Sequence, residues 1–274
     1  MTAVDEAPAF GEPAPAKLNL ALHVRGKRAD GRHDIETIFA FCCDGDRLEA
    51  RAGEGLSLNI EGPFAGAVAA NEDNLVIIAA LTLAEAAGVV ANAALKLRKN
   101  LPVASGIGGG SADAAATLRL LTRLWRIDPI HASMVAPMLG SDVPACLLSL
   151  TARGEGAGDT LQLVDAGVSA SPALLVNPGK PLSTHAVFAA WGGVDHGPLD
   201  DWPAGRNDLE LAARTLVPEI GEVMDWLGAQ PGATFVRMSG SGATCFALFE
   251  NEASRDAVAA AVPAPWWHMA TMLR

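Results

Sequence analysis

Half of the chain's 274 residues are hydrophobic, yet no uninterrupted apolar run is long enough to span a bilayer. The N-terminus also lacks a basic segment followed by an apolar signal core, so a soluble, cytoplasmic protein is expected. Cysteine is scarce. Cys42, Cys43, Cys146 and Cys245 show neither C-x-x-C spacing nor partnering His-x-His pairs, which argues against structural zinc and for buried free thiols. Basic residues are few and scattered, 20 against 31 acidic ones, and the net charge of -11 argues against a nucleic-acid surface. The same charge makes an anion harder to hold. An anionic substrate would therefore rely on local donors: backbone amides, a nearby lysine or arginine, and a divalent metal arriving with a nucleotide.

What is abundant is glycine at one place. Residues 101–118, LPVASGIGGGSADAAATL, set Gly106, Gly108, Gly109 and Gly110 in front of a run in which Ala114, Ala115, Leu118, Leu121 and Trp125 share one helical face. Glycines before a helix N-terminus let amides approach a ligand closely, and the helix dipole favours an anion there. The plainer reading is a loop that only turns the backbone, with a Ser or Asp cap. No Lys-Ser/Thr follows, which excludes a Walker A loop, and Ser111 stands where a G-x-G-x-x-G fingerprint needs its third glycine.

The chain length suits one large domain or two of ordinary size, and two are preferred, with a boundary near residue 163 that divides the chain into 1–163 and 164–274. Strands and helices mix without strict alternation, which predicts an α+β fold. Residues 1–15, rich in Ala and Pro, read as a loose lead-in. Residues 17–24, KLNLALHV, alternate as a half-buried strand with Lys17 and Asn19 on one face, either towards solvent on a sheet edge or towards a site. Asp30-Gly31 marks a hairpin turn into a strand at 35–41, with His33 just after it. Strands are expected at 47–52, 56–60 and 95–98, and a helix at 74–87 capped by Asn71 or Asp73. After the glycine stretch, a helix at 130–139 ends at Gly140, and Asp142 precedes Val143-Pro144, where it would either cap the next helix or face a phosphate. Farther on come a strand at 173–177, helices at 186–191, 209–216, 220–229 and 253–261, and a Gly/Pro/Asp-rich surface loop at 192–207. Strands are expected at 245–249 and 266–271, the first opened by a glycine turn at 238–244.

Three of these stretches together resemble the ordered motifs of the GHMP small-molecule kinases: PAKLNLAL at 15–22, LPVASGIGGGSADAA at 101–115 and MSGSGATCFALF at 238–249. The connecting pieces RADGRHDIETIF, EDNLVIIAA, LGSDVPACL and NPG resemble one branch of that family, which phosphorylates a cytidyl diphosphate of methylerythritol in non-mevalonate isoprenoid synthesis. The resemblance implies two lobes, an N-terminal one of the ribosomal-protein-S5-domain-2-like type and a C-terminal ferredoxin-like one, with substrates in the cleft between them. It implies transfer of the γ-phosphoryl of ATP to the tertiary 2-hydroxyl of a small-molecule substrate. By motif matching, Asp142 corresponds to the catalytic base and Lys17 to its partner. An aspartate can take the hydroxyl proton, while a cation beside it keeps the carboxylate ionised.

The resemblance further implies ATP binding by Pro102, Val103, Ala104, Ser105, Gly106, Ile107, Gly108, Gly109, Gly110, Ser111 and Ala112. Substrate contacts would come from Asn19, Arg32, His33, Thr184, Phe188, Gly240, Ser241 and Gly242, with His33 reading the cytosine edge and Phe188 packing on the base. The chain contains no tyrosine, and Arg32 stands where the family usually stacks one; a guanidinium can stack on a base instead. Ala104 and Ser105 replace glycines, which a cradle accommodates where those positions have φ < 0. Ala112 replaces a serine hydroxyl that is a possible metal ligand in relatives, so magnesium (Mg) would be carried by the nucleotide, with no protein metal ligand. The alternatives are another GHMP kinase acting on a different alcohol or acid, and a GHMP-fold sensor that binds nucleotide or sugar without turnover.

Overall fold

The computed structural model describes residues 10–274. In chain order the elements are β1 (Phe10–Lys27), β2 (His33–Arg51), β3 (Leu56–Glu61), α1 (Leu75–Ala87), β4 (Ala93–Arg98), α2 (Gly109–Trp125), α3 (Ile130–Leu139), α4 (Val143–Leu148), β5 (Ala152–Glu155) and β6 (Thr160–Leu163). They continue as β7 (Pro172–Asn177), α5 (Thr184–Ala190), α6 (Glu210–Leu216), α7 (Glu219–Gly228), β8 (Ala233–Met238), β9 (Cys245–Phe249), α8 (Glu252–Ala259) and β10 (Trp267–Met272). The α+β expectation holds. Two compact units divide the chain discontinuously: one comprises residues 10–14, Gly45–Val103 and Gly110–Leu147, the other Pro15–Asp44, Ala104–Gly109 and Leu148–Arg274. Both β1 and β2 run from one unit into the other.

In the first unit, residues 47–51 of β2 pair antiparallel with β4, and β3 pairs parallel with β4. Helix α1 lies against α3. It starts at Asn74, whose side chain accepts from the Val76 amide, and stops at Gly88 in the left-handed region with φ 64. The cap is thus Asn74 and neither Asn71 nor Asp73, because Asn74 N–H donates to Asn71 O and the turn this closes keeps the helix from starting earlier. The lead-in is also firmer than its composition suggests. β1 already begins at Phe10, and Glu12 accepts from Arg119 and Arg123 of α2, each at 2.6 Å. Two guanidiniums on one carboxylate order a segment that has little to pack. Residues 1–9 lie outside the described part. Helix α2 departs from a one-faced pattern: Ala112 to Leu118 are all buried, since alanine leaves room for close neighbours around the whole turn.

In the second unit, β10, β7, β9 and β8 form an antiparallel sheet in that order. Helices α7 and α8 pack on it, and α6 bridges α5 and α7. Its core draws Leu22, Val24, Leu174, Val176, Ile220, Val223, Met238 and Cys245 together. Residues 37–39 of β2 pair with β5, which pairs with β6. β1 is not half-buried. Lys17, Asn19, Ala21 and His23 are as enclosed as Leu18 and Leu20, so the solvent-edge reading of that face fails. Strand β8 was not anticipated by periodicity. Among the cysteines, Cys43 is exposed and the other three are buried thiols. Among the described residues, no helix is long and apolar enough to cross a membrane.

Candidate functional site

Two glycine turns of the second unit interlock. Gly106 (φ 77) sits so close to the turn after β8 that a Cβ on it would lie 2.5 Å from Ser239 O and 2.6 Å from Gly242 O. The contact is held by Thr244 N–H to Ser105 O at 3.1 Å and by Ser239 Oγ to Gly106 O at 3.0 Å. β1 joins the same junction, because Lys17 N–H donates to Ile107 O and Asn19 N–H to Ser239 Oγ. Gly240 (φ 55) and Gly242 (φ 81) take left-handed backbone that a side chain would strain. Ala104 is a correction: its φ is 51, in the left-handed region, whereas Ser105 has no positive φ. The loop follows a path suited to glycine, and alanine, with only a Cβ, is the smallest residue that bears the strain.

This loop fits an anion. Among the described residues, the amides of Gly106, Ile107 and Gly108 donate to no backbone acceptor, and Gly108 leads directly into α2, whose first amides have no intrahelical partners. Of the sequence-assigned loop, Gly106, Ile107 and Gly108 therefore offer donors. Pro102 has no N–H, and Ala112 is buried.

Lys17 and Asn19 do come together. The Lys17 ammonium donates to Asn19 Oδ1 at 2.8 Å and sits 5.2 Å from the Phe39 ring centre, Asn19 Nδ2 donates to Thr37 Oγ1 at 2.8 Å, and the Thr37 hydroxyl donates to Ala21 O at 2.6 Å. Because Asn19 accepts from an ammonium at Oδ1 and donates from Nδ2 to the Thr37 hydroxyl, its amide orientation is fixed. His33 stacks on Phe188, with ring centres 4.5 Å apart, and Trp191 meets its edge at 5.7 Å. Burial, then the Lys27 charge, lower the His33 pKa. Thr184 and Ser241 share a hydroxyl hydrogen bond of 2.9 Å. Arg32, next to His33, is paired locally: its Nε and backbone N–H both donate to Asp30, each at 3.0 Å. In the first unit, Asp142 is half-buried between Gly140 and α4, and its carbonyl accepts from Cys146 N–H.

Comparison with known proteins bears on this arrangement. The model of the GHMP kinases N terminal domain matches residues 74–149, and that of the GHMP kinases C terminal domain matches residues 199–266. A 4-diphosphocytidyl-2-C-methyl-D-erythritol kinase of Rhizorhabdus wittichii is 54% identical over 96% of this chain and 94% of its own. The chain belongs to the GHMP kinases. A kinase of the same name from Hyphomonas neptunium is 46% identical to this GHMP kinase over 95% of each chain. A crystal structure of 4-(cytidine 5'-diphospho)-2C-methyl-D-erythritol kinase superposes on it with TM-score 0.82 at 33% identity, covering 96% of this chain and 99% of that one. Homoserine kinase from Cytophaga hutchinsonii, 16% identical with TM-score 0.70 over 100% of this chain and 96% of its own, shares the fold.

Three residues that shape this candidate site escaped the sequence reading. Asn207 donates to Met238 O and Gly240 O and accepts from Leu209 N–H, so one buried amide holds the turn after β8. Thr37 ends the donor chain from Lys17, and Trp191 completes the ring cluster at His33. Only Asn207 carries a sequence signal, as an Asn-Asp pair immediately before a helix.

Proposed function

We propose that this GHMP kinase transfers the γ-phosphoryl of ATP to the 2-hydroxyl of 4-diphosphocytidyl-2-C-methyl-D-erythritol, giving the 2-phosphate and ADP. The observation that carries the reading is the 54% identity, over nearly the full length of both chains, to a relative of that name. Asp142 accepts the hydroxyl proton, and Lys17 keeps the carboxylate ionised and balances charge on the moving phosphoryl. Asn19, locked between Lys17 and Thr37, presents its amide to the acceptor's hydroxyls. The amides of residues 106–110 hold the ATP phosphates. No side chain is assigned as a metal ligand, and magnesium carried in on the nucleotide would supply charge neutralisation on its phosphates. His33, Phe188 and Arg32 receive the cytidyl end, and Thr184, Gly240, Ser241 and Gly242 border the acceptor. The proposed domain boundary near residue 163 lies between the two matched segments, 74–149 and 199–266.

The test is ADP release with the cytidyl substrate against homoserine, mevalonate and galactose. Only the first supports turnover on this reading. Asp142→Asn, folded to the same melting temperature, lowers kcat by about 10²–10⁴-fold. Undiminished turnover in that variant removes the assignment of the base.

A further inference from the structure

Three charged side chains of the first unit lie out of water and have no part in the roles assigned above. Asp46, Lys99 and Asp113 are 2%, 2% and 4% exposed. Lys99 directly follows β4, and its ammonium donates both to Asp46 Oδ2 and, at 2.7 Å, to Asp113 Oδ2 on the first turns of α2. Asp46 Oδ1 accepts from the amides of Asn100 and Leu101, at 2.6 and 2.9 Å. Among the described residues, Asp113 Oδ1 is buried with no hydrogen-bond partner.

The positions matter more than the pairing. Residues 99 and 113 bracket residues 102–112, so the Lys99–Asp113 ion pair closes the neck of the phosphate loop. Asp46 fixes the two amides at the loop's entry. Two carboxylates against one ammonium leave a surplus negative charge in the interior, where an apolar set of the same volume would often be as stable or more so. Burial pushes the Asp113 carboxyl upward, and the Lys99 ammonium opposes that push. Residues 105–107 are pinned by β1 and the turn after β8, and the ion pair adds a hold on the two ends, which further reduces the ordering cost of binding.

Resting on the reading of residues 102–112 as the ATP loop, we propose that Lys99 and Asp113 are positioning residues for the nucleotide. Their ion pair sets the distance between the loop's two ends, so that its amides hold phosphate-receiving spacing before ATP arrives.

Asp113→Asn tests this, because it removes the charge while keeping the shape. The dissociation constant for ATP, measured by calorimetry without acceptor, rises about tenfold, and KM for ATP follows while kcat and the acceptor KM stay within about twofold. Amide exchange quickens across residues 103–110. Because ATP binding is read without acceptor, a wrong acceptor assignment leaves this result untouched. A folded variant with unchanged ATP affinity overturns the proposal, as does a fall in kcat and a rise in both KM values that merely track a lowered Tm. Should Asp113→Asn not fold, Lys99→Arg, which keeps the charge and alters the reach, is measured in the same way. If neither folds, the cluster serves folding alone and the proposal falls.

Discussion

Gly106→Ala is the sharpest probe of the junction between the two glycine turns. The new Cβ would lie 2.5 Å from Ser239 O, 2.6 Å from Gly242 O and 2.8 Å from Gly242 N, all backbone atoms that cannot swing aside. Relief requires the two turns to part by roughly 0.9 Å to recover ordinary van der Waals separation from the nearest atom at 2.5 Å. That movement takes the bonds from Thr244 N–H to Ser105 O, now 3.1 Å, and from Ser239 Oγ to Gly106 O, now 3.0 Å, beyond useful length. Each lost bond costs about 1 kcal/mol, and alanine at φ 77 about 1 kcal/mol more. A loss of about 3 kcal/mol in a chain of this size lowers Tm by roughly 6–12 °C. Thermal unfolding by circular dichroism reads this directly. Gly110→Ala is the control, since a Cβ there meets nothing within 4 Å and its effect on stability stays within about 1 kcal/mol. On the proposed reading of residues 106–110 as the phosphate-holding amides, KM for ATP also rises in Gly106→Ala. A Gly106→Ala protein that melts within about 2 °C of wild type refutes the interlock.

Further outcomes follow from single residues. Ala104→Gly removes left-handed strain at φ 51 and raises stability by at most about 1 kcal/mol after the added freedom of the unfolded chain, whereas Ala104→Val lowers it; denaturant unfolding midpoints give the order. His23 accepts the Arg206 amide at Nε2 and donates from Nδ1 to Gly197 O, so burial first, and Arg206 second, lower its pKa below 6.5. The unfolded chain then binds the proton more readily. Stability is full above pH 6.5 and falls as the pH drops from there through the lowered folded value, and His23→Gln flattens that slope in pH-dependent melting curves. Arg32→Ala raises KM for the cytidyl substrate by about 3–30-fold with kcat held, and an unchanged KM removes Arg32 from the base subsite.

Much of the candidate site's local framework was legible because its signals are local. A glycine loop before a helix, a glycine turn before β9 and an Asp-Gly hairpin announce themselves within a dozen residues. What was not legible is long-range. The enclosure of Lys17 and Asn19 depends on Ser239 and Thr37, which no alternation in β1 could reveal. The Asp46–Lys99–Asp113 cluster joins residues up to 67 positions apart with no periodic trace in the sequence. Asn74 displaced the expected caps through a turn closed by backbone atoms alone. β8 was missed because its burial does not alternate along the strand, and a register shift between Ala233 and Phe235 offsets its pairing with β9.

The strand β1 is satisfied very late. Asn19 waits for Ser239, Leu22 for Asn207, and the Leu20 carbonyl for Arg237. During synthesis, about 200 residues must leave the ribosome before those partners exist, a delay of roughly 10–40 s. Throughout it, a stretch destined for burial on both faces stays unsheltered in the nascent chain. A product truncated ahead of residue 207 would therefore be a ready client for holding chaperones, and a shortened chain lacking only its last third could not enclose its own beginning.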